Sequence, residues 1–389
     1  MTDFMERVRN RVAAAGPNIT FATVADAVRD EAGGVVGDKD VLDTMHKMHQ
    51  EFVGAGPLEP LLRDPATTDV LVTGPRSVWV DGPAGLRRTA VQFPDETAVR
   101  RLAQRLALAA GRRLDDAQPY VDAWIPETTA LGKVRMHAVL PPIAPDGTCL
   151  SLRVLRPAAH DLESLRALGT FEQQGAELLR AIVAARLAFV VVGGTGSGKT
   201  TLLSAMLGCV PESERIVCVE DAGELHPTHP QFVRLVARPP NIEGAGEITL
   251  RDLVRQALRM RPDRLVVGEV RGPEVVDLLA ALNTGHDGGA GTLHANSPAE
   301  VPARFEALAA LGGLSRAELH SQLAAAVHLI LFMRRDGSTR RLAEIAILEK
   351  TTHTLKVHPA WRPGERLYAR TTLESLLTTH NTPTPWPPP

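Results

Sequence analysis

Gly193-Gly194-Thr195-Gly196-Ser197-Gly198-Lys199-Thr200 fits the spacing G-x-x-x-x-G-K-[ST], a glycine loop that cradles phosphate. Spaced glycines let the backbone fold into a nest of N–H groups around a di- or triphosphate. Lys199 can reach the β- and γ-phosphates, and the Thr200 hydroxyl can ligate Mg²⁺. The loop predicts Gly194 to Thr200, with Thr201 behind them, as the nucleotide-binding residues. On its own it does not separate a kinase from a GTPase, helicase or transporter.

Three further groups could complete phosphoryl-transfer chemistry, which needs a metal, an oriented water and added positive charge. Val219-Glu220-Asp221-Ala222-Gly223-Glu224-Leu225 puts three carboxylates after an apolar run, where one can activate water. Leu265-Val266-Val267-Gly268-Glu269 is an apolar strand ending on a carboxylate suited to Mg²⁺ or its water shell. Thr292-Leu293-His294-Ala295-Asn296 places His294 at another strand end, as a sensor of the γ-phosphate. Each group falls at the carboxyl edge of an expected strand, where open α/β sheets bind ligands.

The elements that position them follow from periodicity. Leu187 to Val192 is a short apolar, β-branched run, as in a buried parallel strand, and Thr201 to Gly208 has helical spacing. From Phe171 strands alternate with helices. Strands are expected at Ala188–Val192, Arg215–Glu220, Phe232–Val236, Leu265–Gly268 and Gly291–Leu293. Helices are expected at 172–186, 198–208, 249–260, 273–283 and again after Pro298. The domain expectation is a helical segment at 1–55, an α+β domain at 56–156 and a linker at 157–170. An α/β domain at 171–375 and a disordered Pro-rich tail at 376–389 complete it.

Composition bounds the alternatives. The chain has 389 residues, 44% hydrophobic and 23% charged, as in globular proteins of two or three domains. A net charge of −2 and only 4% aromatic residues argue against a surface given over to nucleic acid. Cys149, Cys209 and Cys218 are too scattered for a metal site or disulfide framework, which points to a reducing compartment. No run approaches a membrane span and the N-terminus lacks a signal-peptide core, so a cytoplasmic location is expected. Lysine occurs only at positions 39, 47, 133, 199, 350 and 356, in a chain rich in arginine. Lys199 stands out accordingly, since a compact ammonium suits a phosphate cradle.

The motifs resemble, in order, those of the Tad/CpaF-type secretion and pilus-assembly ATPases. These belong to the type II/IV secretion superfamily that includes the VirB-type traffic ATPases. The resemblance spans roughly residues 50–350 and includes Gly56-Pro57-Leu58-Glu59-Pro60-Leu61-Leu62, Arg238-Pro239-Pro240-Asn241 and Leu258-Arg259-Met260-Arg261-Pro262-Asp263. It implies a RecA-like ATPase domain with a parallel-rich sheet, preceded by a smaller α+β N-terminal domain, assembled into a homohexamer. ATP and Mg²⁺ would sit between the two domains. Inner-membrane platform proteins would be the partners, with no direct nucleic acid and membrane contact only through those partners. By motif position Glu224 resembles the general base, Glu269 the metal-associated glutamate beside Thr200, and His294 the histidine-box residue. Arg135 and Arg153 resemble arginines that reach across to the nucleotide. The sequence departs from the pattern at Ala222-Gly223, Gly289-Ala290-Gly291 and the long stretch Pro126 to Lys133. The implied function is a motor for pilus assembly or protein secretion. Its rivals are a DNA-transfer motor of the conjugation type, a nucleotide-gated scaffold and a small-molecule kinase.

Overall fold

The computed structural model describes residues 7–384 apart from 9, 13–20, 33–53, 126–132, 156–159, 242–243, 338, 352–353 and 366–368. Most of the expected segment 1–55 and the Pro126 to Lys133 departure lie largely outside the described residues. The chain divides into two units, Met1–Arg156 and Pro157–Pro389.

The first unit includes α1 (Phe21–Ala32) and α2 (Glu59–Arg63). Its sheet contains β1 (Asp69–Thr73), β2 (Val78–Asp81), β3 (Arg87–Arg88), β4 (Tyr120–Ile125), β5 (Lys133–Val139) and β6 (Cys149–Leu155). The strand order is β3-β2-β1-β6-β5-β4, and every pairing is antiparallel. Alternation decides the faces. Val70 and Val72, Val134, Met136 and Ala138, and Leu150 and Leu152 point into the core, beside Val99, Leu102 and Leu106 of α3 (Glu96–Ala109). The Asp95 side chain caps α3 by accepting from Ala98 N at 2.8 Å. Residues of β5 and β6 out of phase with the core, Arg135 and Arg153 among them, are left on the opposite face.

The second unit opens with α4 (Leu162–Ala167) and α5 (Gln173–Ala184). Residues 157–170 are therefore not simply a linker. Asp161 caps α4 through Ser164 N at 2.8 Å, and Leu162 and Leu165 are buried in the core of this unit. β7 (Phe189–Val192) is buried along its whole length and runs into the glycine loop and α6 (Lys199–Leu207). There follow β8 (Ile216–Glu220), β9 (Phe232–Val236), α7 (Leu250–Ala257), β10 (Arg264–Val267), α8 (Glu274–Leu282) and β11 (Ala290–Leu293). α9 (Val301–Leu311) and α10 (Arg316–Ala326) then lead to β12 (Leu329–Asp336), β13 (Thr339–Lys350), β14 (Leu355–Trp361) and α11 (Arg370–Thr379).

The sheet order is β14-β13-β12-β7-β11-β10-β8-β9. β12, β7, β11, β10, β8 and β9 are mutually parallel, and only β13 and β14 pair antiparallel. Apolar clusters cover both faces, as a parallel sheet requires. The α/β architecture matches the sequence expectation, with three strands, β12 to β14, that the expectation lacked. The tail expectation at 376–389 starts too early, because Leu373 and Leu377 are buried on α11, which continues to Thr379. Residues 385–389 lie outside the described residues.

Candidate active site

The four strands that end on the chemistry-bearing segments are neighbours in the sheet, in the order β7, β11, β10, β8. Because they run parallel, their carboxyl ends meet along one edge. The glycine loop leaves β7, His294 follows β11, Glu269 follows β10 and the acidic turn follows β8. The structure thus brings together four segments that are far apart in sequence.

In the loop, Gly196 (φ 71°) and Gly198 (φ 94°) occupy the left-handed region, which residues with a Cβ seldom adopt. Gly198 leads directly into α6, so the loop abuts a helix N-terminus with free N–H groups. Gly194, Thr195 and Gly196 are exposed, Thr200 and Thr201 half-buried on the first turn of α6. Lys199 is buried and donates to the carbonyls of Gly193 and Gly194 at 3.0 and 3.1 Å. Burial lowers its pKa, with Arg271 acting the same way and Glu269 and Glu224 opposing. The Ser197 hydroxyl is buried and makes no hydrogen bond among the described residues. A buried donor aimed at no protein acceptor, beside a helix N-terminus, fits an anionic ligand in the loop.

Glu269 pairs with Arg271, and its Oε1 lies 2.9 Å from His294 Nε2. Burial lowers the His294 pKa, helped by Lys199 and countered by Glu269. Arg271 also lies 3.8 Å from Asp221, bridging the β10 and β8 turns. The β11 and β10 ends are further tied by Thr292 Oγ1 donating to the Gly268 carbonyl at 2.7 Å.

The acidic turn is held by a residue whose role sequence reading did not assign. Glu220 is only 3% exposed, and its Oε1 accepts from the backbone N–H groups of Glu224 and Leu225 at 2.9 and 3.0 Å. Arg234 on β9 places Nε 3.3 Å from Glu220 Oε2 and bonds the Leu225 carbonyl and His226. Gly268 permits this packing, since a Cβ there would lie 2.6 Å from Glu220 Cγ. Burial pushes the Glu220 carboxyl up to about 7, against the two backbone donors and Arg234. Glu220 was visible as one carboxylate of three. Its inward direction could not be known without the β10 turn that packs on it.

Arg135 and Arg153 belong to the first unit and are direct cross-strand partners on its exposed sheet face. Arg135 donates to both oxygens of Asp122 at 3.0 and 2.6 Å, and Arg153 to Asp69 at 2.8 Å. The flanking aspartates offset the cost of opposing like charges.

Comparison with known proteins matches residues 51–358 to a family described as "Type II/IV secretion system protein". A Mycobacterium tuberculosis (strain H37Rv) protein provisionally named for conjugal transfer is 64% identical over 332 residues, covering 84% of this chain and 94% of its own. The conjugal transfer protein TrbB of Rhizobium radiobacter is 30% identical over 247 residues, 63% of this chain and 72% of its own. Among solved structures, the pilus retraction motor PilT with bound ADP superposes with a TM-score of 0.52 at 19% identity. That match covers 83% of this chain and 86% of the other.

Proposed function

The chain belongs to the type II/IV secretion system protein family and is an ATPase, and on that premise we propose that it drives Tad/Flp-type pilus assembly or protein secretion as a hexameric motor. The observation that carries the reading is the single sheet edge on which the loop, Glu224, Glu269 and His294 converge. Gly194 to Thr201 cradle the triphosphate, with Lys199 turning from its loop carbonyls to the phosphates. Thr200 and Glu269 would hold Mg²⁺, which when bound would neutralise charge on the phosphate oxygens. Glu224 orients and deprotonates the attacking water. His294 reports on the γ-phosphate through its contact with Glu269.

Arg135 and Arg153 exchange their aspartate partners for nucleotide phosphate, which a guanidinium binds through charge-assisted hydrogen bonds. The protein works in the cytoplasm and reaches the inner membrane through platform partners. In support, no helix among the described residues is long and apolar enough to cross a membrane.

A second reading, a conjugation-type DNA-transfer ATPase, is favoured by the names of two relatives. The net charge of −2 favours the first reading. Purified protein, sized by light scattering with nucleotide, is expected at six times 41.8 kDa. Its ATP turnover is expected to be unchanged by single- or double-stranded DNA. DNA-stimulated turnover that falls steeply with salt would replace the pilus reading with the second one.

A further inference from the structure

The β12–β13 hairpin lies against the glycine loop with arginines that no catalytic motif accounts for. Arg335 on β12 and Arg340 on β13 are directly opposite in the strand register. Opposed like charges destabilise a strand pair unless something anionic balances them. Asp336 does not, because both of its oxygens are taken by Arg334, at 2.9 and 3.0 Å. Among the described residues neither Arg335 nor Arg340 forms an ion pair with a carboxylate.

Both arginines instead touch the loop. Arg340 Nε donates to the Gly196 carbonyl at 3.0 Å. Arg340 Cδ lies 3.2 Å from where a Cβ on Gly198 would stand, and Arg335 Nη1 lies 3.3 Å from the same position on Gly196. Arg335 Nε is held by the Gly337 carbonyl at 3.0 Å, which fixes its head beside the loop. The two left-handed glycines that shape the phosphate nest are therefore backed by two guanidinium groups from one hairpin.

We propose that Arg335 and Arg340 are positioning residues for a nucleoside di- or triphosphate, bracing the loop from outside and adding two positive charges beside the phosphates. The Gly196 bond holds the loop backbone in the conformation that directs its N–H groups at the ligand. The guanidinium charges, unpaired within the hairpin, favour the anion through the loop. The inference rests on residues 193–200 being the phosphate site, and the controls separate the two.

The test is ATP and ADP affinity of the full chain by calorimetry, with steady-state kinetics alongside, for Arg335→Ala, Arg340→Ala, Arg340→Lys and Lys199→Ala. Loss of one charge-assisted contact predicts a rise of about tenfold in Kd for either arginine-to-alanine variant. KM is expected to rise more than kcat falls. Arg340→Lys keeps the charge but not the Nε donor, and is expected to fall between wild type and Arg340→Ala. Wild-type affinity in both arginine-to-alanine variants, with Lys199→Ala impaired, overturns the proposal. A kcat loss at unchanged Kd overturns it too. Wild-type affinity in Lys199→Ala as well would remove the loop reading beneath it. Both arginines are exposed, so thermal melting close to wild type is expected, and Arg340→Gln is a replacement should Arg340→Ala fail to fold.

Discussion

Glu220 shows how much the acidic turn depends on a single carboxylate buried beneath it. Its carboxyl fixes the backbone of Glu224 from below, and burial raises its pKa to about 7. A raised acid pKa means the fold prefers the protonated form. The stabilisation is complete below the unfolded value of 4.5 and is lost as pH rises through 7. The glutamine variant keeps the acceptor oxygen but cannot ionise. The stability of wild type relative to Glu220→Gln is therefore expected to fall by about 2.5 kcal/mol between pH 5 and 8, read by urea denaturation. A difference that stays flat with pH would contradict the assignment. At this scale residue types and spacing marked out Lys199, Glu269, His294 and a turn of three carboxylates, from which the family resemblance singled out Glu224. Glu220, Arg234 and Arg271 were hidden because their roles are contacts between turns that only the folded sheet brings together.

Elements were legible where a short apolar, β-branched run could only be a buried strand, as at Phe189–Val192 and Ile216–Glu220. β12 was not. Leu329 to Met333 follows α10 closely and is as compatible with a helix by pattern alone. What makes it a strand is parallel pairing of Leu329 with Phe189, a contact across the chain. β10 carries a related surprise at its start. Arg264 is 1% exposed, pairing with Glu214 at 2.7 Å and donating to the Val183 carbonyl at 2.9 Å. A charged residue at a strand start reads as surface, yet here it anchors β10 at the end away from the site. Arg264→Ala is expected to cost about 3 kcal/mol in denaturant unfolding, because Glu214 loses its buried partner. A cost under about 0.5 kcal/mol, typical of a surface change, would show that the pair does not anchor the strand.

Across the molecule, the motifs marked strands that the structure sets side by side, but their order along the chain does not give their order in the sheet. In sequence the strands run β7, β8, β10, β11, whereas in the sheet β11 and β10 stand between β7 and β8. That crossover sets Glu269 and His294 between the loop and the acidic turn. In the first unit, strand phase alone put Arg135 and Arg153 on one exposed face. Family membership fixes the ATPase. The proposed hydrolysis depends most directly on Glu224 acting as the base. The decisive measurement is ATP hydrolysis by Glu224→Gln beside its ATP affinity. The expected result is turnover lower by roughly 10²-fold with ATP still bound. Hydrolysis at the wild-type rate would contradict it.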